Sequence, residues 1–194
     1  LENKRGDLVA QNLPSITKVT VDNYNTQAAF IADCVRYSFS STFKYTALPV
    51  SFSANDFFNW LQSDELYVLN RNHKAIGIVV LHETSLPEES FVNFTTFLHP
   101  RVCKMAAISL LRGALCIASI YAVINKASSI STYLYHSLMT STVRQLFPMT
   151  RAVKVTESSH FCAVGLTDYT LERLTAQLRS LFIDEELEEY LALF

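Results

Sequence analysis

The chain has 194 residues and a net charge of −2, with 49% hydrophobic and 18% charged residues; this gives room for one domain with a sizeable core and lies far from any disordered or fibrous composition. Its four glycines, Gly6, Gly77, Gly113 and Gly165, stand far apart, which excludes a Walker phosphate loop, a GxGxxG dinucleotide fingerprint and a GxSxG nucleophile elbow, each of which needs clustered glycines. Asp184, Glu185, Glu186, Glu188 and Glu189 form one acidic run, and removing these five negatives from a net −2 leaves +3, with no clustered Lys/Arg excess to mark a nucleic-acid binder.

Residues 1–15 form a polar lead with Gly6 and Pro14, extended along a surface or mobile. Ile16–Val21 alternates like a strand. Asp22 or Asn23 then caps a helix running to about Phe39, because Ala28, Ala29, Ile31, Ala32, Val35 and Phe39 recur at helical spacing. Ser53 opens a short aromatic helix over Asp56–Leu61. Two strands follow, Glu65–Asn70 and Ala75–Glu83, joined by a hairpin turn at Arg71–Lys74, and a third, Phe91–Leu98, is stopped by Pro100. Apolar spacing predicts a helix over about 103–118, and the β-branched run Ser119–Ile124 predicts a short buried strand. A Ser/Thr-rich helix from about Ser128 to Phe147, a hairpin of Ala152–Thr156 with His160–Leu166, and one or two terminal helices complete the chain. Phe57, Trp60, Phe91, Phe94, Leu110 and Ile120 are the expected core.

Met105–Ile124 has the length of a membrane span, yet Arg112 near its middle costs about 2.5–3.5 kcal/mol there. The soluble helix-plus-strand reading is therefore preferred. Cys34, Cys103, Cys116 and Cys162 form no CxxC pair, and three of them sit in apolar runs, as expected of reduced core thiols in a cytoplasmic or virion compartment. The start, Leu1-Glu2-Asn3-Lys4-Arg5, has no apolar stretch of the secretory kind. No histidine spacing points to a metal site: His99 ends a strand and His160 belongs to a hairpin. The Asn93-Phe94-Thr95 sequon falls within a strand-like run and reads as chance.

The element order β-α-α-β-β-β-α-β-α-β-β resembles the GCN5-related N-acetyltransferases, the GNAT fold, over about residues 16–166. The resemblance implies an α/β (α+β) domain with a mixed, mostly antiparallel sheet flanked by helices. It divides the chain into a lead (1–15), a GNAT-like domain (16–166) and a helical appendage (167–194). In that family a Q/R-x-x-G-x-G/A loop holds the pyrophosphate of acetyl-CoA on backbone amides at a helix N-terminus. The corresponding stretch here runs from Leu98 to Ala106: Arg101 matches the first position and Ala106 the last, while Lys104 stands where the middle glycine belongs and obstructs close approach of backbone to phosphate. The resemblance also implies a cofactor-side Asn125 after the splayed strand, and Tyr135, with Tyr133 as its rival, as the acid that protonates the leaving thiolate. Glu83, with His82 beside it, is the implied general base for an amine.

Two functions compete. One is a structural or protein-binding component that keeps the scaffold without its cofactor, similar to degenerate GNAT-like phage virion and internal proteins; the other is an acetyl-CoA-dependent N-acyltransferase. The missing glycine favours the first. The terminal stripe Leu171, Leu174, Leu178, Leu181, Phe182, Leu187, Tyr190, Leu191 and Phe194 has no obvious slot in a domain closed at Leu166, and is expected to serve self-association or a protein partner. Neither nucleic acid nor a membrane is an expected partner.

Overall fold

The computed structural model describes residues 10–40, 59, 65–103, 105–134, 137–157 and 159–194. The expected helix Asp56–Leu61, with Phe57 and Trp60, lies outside them, as do Lys104 and Tyr135.

Among the described residues a seven-stranded sheet has the order β1-β2-β3-β4-β5-β7-β6. Its strands are β1 (Ser15–Lys18), β2 (Glu65–Arg71), β3 (Lys74–Ser85), β4 (Ser90–Leu98), β5 (Ser129–Leu134), β6 (Arg151–Thr156) and β7 (Ser159–Gly165), and its helices are α1 (Tyr24–Ser40), α2 (Met105–Ile124), α3 (Ser137–Leu146), α4 (Leu171–Arg179) and α5 (Asp184–Leu191). Every pairing is antiparallel except β4 with β5. The mixed, mostly antiparallel architecture expected from the element order is the one observed.

Alternation explains why β2 to β4 form as predicted. Tyr67, Leu69, Val79, Leu81, Val92 and Phe94 point to one face, where α2 to α5 pack, and Leu66, Val68, Ile78, Val80 and Phe97 point to the other, beneath α1. Asn72 and His73 make the two-residue β2–β3 turn, both with positive φ (51° and 60°), the conformation that a tight hairpin of the right twist requires. Asn23 joins β1 to α1 by accepting from the Thr20 N–H (2.8 Å) and donating to the Lys18 carbonyl (2.9 Å).

Two assignments along the middle of the chain are corrected. The strand expected over Ser119–Ile124 is the last part of α2, in which Ile120 and Ala122 are fully buried. Burial on a helix rewards the same β-branched residues that favour strands. The stop comes later and is a backbone device: Lys126 adopts φ 58°, the Ala127 N–H reaches the Ala122 carbonyl (2.8 Å) and the Lys126 N–H reaches that of Val123 (3.2 Å), a Schellman closure with lysine in the usual glycine place. The helix expected over Ser128–Phe147 begins as β5, in which Ile130, Thr132 and Leu134 are buried at period two, and turns helical only at Ser137.

The terminal stripe is seated in the chain's own core, on two helices rather than one. Leu174, Leu178, Leu187 and Tyr190 are fully buried in the cluster that contains α2, and Gln177 ties α4 to α3 through the Leu146 carbonyl. Tyr190 donates to the Pro14 carbonyl (2.7 Å), and a Cβ on Gly113 of α2 would meet Leu69 and lie 2.7 Å from Tyr190 Oη, so this crossing requires glycine. The described part of the lead is strapped on as well: the Gln11 N–H reaches the Leu181 carbonyl (2.8 Å), and the Leu13 N–H reaches Glu186 Oε2 (2.6 Å). Among the described residues only α2 is long and apolar enough to cross a membrane, and most of it is buried within the chain.

Candidate functional site

The parallel pair β4–β5 is joined only briefly. Phe91 pairs with Ser129, Val92 with Ile130 and Asn93 with Ser131, after which both strands run on without pairing, to Leu98 and to Leu134. The sheet therefore opens as a wedge in its interior, where unpaired backbone groups face each other. Side chains lace its apex: Thr132 Oγ1 donates to the Phe94 carbonyl (2.7 Å, buried) and Asn93 Nδ2 to Ser131 Oγ (3.3 Å). A hydroxyl thus holds the first carbonyl beyond the last rung, in place of a ladder amide.

At the open end β4 leads into α2 through residues 99–103. His99 organises this connection. Its N–H holds the Ile76 carbonyl (2.8 Å), its Nδ1 accepts from the Arg101 N–H (3.2 Å), and its carbonyl accepts from the Val102 N–H (3.2 Å). Because Nδ1 accepts, the neutral ring carries its proton on Nε2, which faces Asp33 Oδ2 at 3.9 Å; the ring also stacks on Phe30 of α1, with centroids 4.8 Å apart. The Ala106 N–H is bound to the Cys103 carbonyl (3.0 Å). The amides of Arg101, Val102 and Ala106 are therefore already satisfied inside the chain. His99 ended a strand in the sequence pattern and gave no other signal; its role depends on α1 lying under β4.

The residues singled out from sequence divide between the two ends of α2, which 20 residues make about 30 Å long. Leu98, Arg101 and Ala106 stand at the open end, Arg101 exposed and Ala106 buried. Glu83 and Asn125 stand at the other. Glu83 pairs with Val92, on the joined side of the wedge, and accepts from the Tyr121 hydroxyl (3.1 Å). Asn125 donates from Nδ2 to the Tyr121 carbonyl (2.9 Å) in the turn that ends α2, so it precedes the splayed strand instead of following it. The structure brings Glu83 and Asn125 together around Tyr121, away from the wedge mouth. Tyr133 lies on β5 against Phe161 (centroids 5.2 Å), and His82 is exposed.

A central parallel pair that parts after three rungs, with a long helix crossing one face and a hairpin closing the far edge, is the decisive observation. The chain has the GCN5-related N-acetyltransferase fold. No known protein family matches its sequence, and no curated protein does. Solved structures do. The chain is similar to yncA, a putative acetyltransferase from Salmonella typhimurium solved with its cofactor acetyl-CoA (13% identity, TM-score 0.56, covering 80% of this chain and 96% of that one). It is also similar to apo FdhC, a nucleotide-linked sugar GNAT (12%, 0.54, 90% and 100%), and to FeeM, an N-acyl amino acid synthase from uncultured soil microbes (10%, 0.52, 89% and 97%). At such identities the likeness establishes the GNAT fold and not the chemistry. For acetyl-CoA the fit at the GNAT loop position is poor. A pyrophosphate there needs free amides, and three of them are spent within the chain.

Proposed function

We propose that the chain is a binding component built on the GNAT fold, in which acetyl-CoA is not a working cofactor. The observation that carries this reading is the connection between β4 and α2, where the amides of Arg101, Val102 and Ala106 bond to His99 and Cys103. Releasing them would cost about 0.5–1.5 kcal/mol each before any phosphate contact formed. The carbonyl at the wedge apex is likewise held by Thr132.

A second reading, an N-acyltransferase using acetyl-CoA, is favoured by the wedge itself and by the neighbour solved with that cofactor. Calorimetric titration of acetyl-CoA into the full chain separates the two. The binding reading expects no saturable heat and no rise in melting temperature. Saturation at a micromolar Kd, which at a hundredfold excess would stabilise the fold by about 2.7 kcal/mol, overturns it and makes acyl-transfer assays on primary amines the next measurement.

A further inference from the structure

On the α2 face, at the β2–β3 turn and two strands from the wedge, lies a cavity of about 320 Å³ whose wall is mainly polar. One side carries the Arg71 guanidinium with Asn70; the opposite side carries Glu186 and Glu189 of α5; Asn12 and Ser109 complete the wall. No ion pair joins the arginine to either carboxylate among the described residues. Opposite charges that share one concave wall without neutralising each other are a costly arrangement unless something completes both.

Two further observations mark the same place. Arg112, one turn of α2 beyond Ser109, has a buried Nε with no hydrogen-bond partner, and Gln11, next to Asn12, has an equally orphaned Oε1. Burial, with the neighbouring positive charge of Arg71, also holds the Arg112 guanidinium below its usual range. Two arginines therefore crowd one side of the cavity with no carboxylate between them.

We propose that this cavity binds a free α-amino acid, with its carboxylate on Arg71 and its ammonium on Glu189. Each charge of the ligand meets the one the wall leaves unpaired, and a planar guanidinium suits a carboxylate. Glu186, already accepting from the Leu13 N–H, supplies background negative charge and not the primary contact. The site stands apart from the wedge, so its occupancy does not depend on whether acetyl-CoA binds.

The full-length chain is titrated with the standard L-amino acids, followed by amide NMR and calorimetry. The best binder is then compared with its N-acetyl and its methyl ester derivatives. An intact amino acid is expected to shift the Asn72, His73 and Ser109 amides, and each derivative to bind about tenfold more weakly, as expected when one charged contact is lost. Arg71→Gln should weaken the parent to the level of the ester without further weakening the ester. Glu189→Gln should do the same for the N-acetyl form. Both side chains are exposed, and an unchanged melting temperature establishes that each variant is folded. If no amino acid shifts these amides at about 10 mM, or if the N-acetyl derivative or the ester binds as well as the parent, the proposal is overturned.

Discussion

The wedge between β4 and β5 and the seat of α4 and α5 on α2 are opposites. The wedge is where family motifs point, and its polar groups are consumed by the chain itself: Thr132 on Phe94, Arg101 and Val102 on His99, Ala106 on Cys103. The terminal helices match no motif and have no slot in a domain that ends at Leu166, yet Leu174, Leu178, Leu187 and Tyr190 are among the most buried residues of the described chain. In this chain a motif residue can persist without its chemistry, whereas an apolar stripe must be covered somewhere and is covered at home.

The largest expected effect breaks the second region. Deleting residues 171–194 uncovers the α2 face and removes the partners of Leu13, Pro14 and Leu146, so the truncated chain should fail to fold, read as loss of a cooperative melt by circular dichroism. A truncated chain that melts cooperatively would show that these helices are an appendage after all. Tyr190→Ala should cost about 3–5 kcal/mol by denaturant titration, since a fully buried ring and its bond to the Pro14 carbonyl go together. Gly113→Ala should cost about 1–3 kcal/mol by overpacking the same crossing. If its penalty matches that of alanine substitutions elsewhere in α2, the crossing is looser than described.

How much was legible follows from the same contrast. Strands β2 to β4 were readable because alternation is written directly into residues 65–98. The α2–β5 boundary was not, because Ile120, Tyr121, Val123 and Ile124 are strand formers buried in a helix, and the stop depends on the backbone of Lys126, which no residue type announces. Of the site residues, Glu83 and Asn125 were placed by counting along an assumed strand; moving that strand to 129–134 carries them to the far end of α2. The terminal stripe was read correctly as a stripe. What it covers is a three-dimensional fact.

Alkaline pH sharpens the comparison, because the core around the terminal helices holds neutral acids and the wedge holds none among the described residues. Burial pushes the Cys116 thiol and the Tyr190 and Tyr67 phenols up, and pushes Cys34 up with help from the charge of Asp33. A group whose folded pKa is raised keeps its proton in the native state while the unfolded chain loses it. Stability is therefore full below the unfolded thiol value of about 8.5 and falls above it, by up to about 1.4 kcal/mol per pH unit for each group. Urea titrations between about pH 7 and pH 10 should show this decline, with a shallower slope in Cys116→Ala. A slope unchanged by that substitution would mean that the unfolded state is not the source.

The smallest effect probes the wedge. Thr132→Val keeps the shape of the side chain and its burial but removes the donor to the Phe94 carbonyl, leaving a buried acceptor unpaired at the last rung before the strands part. Such a loss costs about 1–3 kcal/mol when no water replaces the donor and less when one does. The wedge opens from this point, so water can reach the carbonyl and the lower end, about 1 kcal/mol, is expected by denaturant titration. Ser131→Ala, which removes only the longer contact from Asn93, should cost less still. If Thr132→Val is neutral and acetyl-CoA then begins to bind, the hydroxyl was acting as a plug and not as a strut. If it costs the expected amount and acetyl-CoA still does not bind, the wedge is closed chiefly at the β4–α2 connection, where His99 holds the amides.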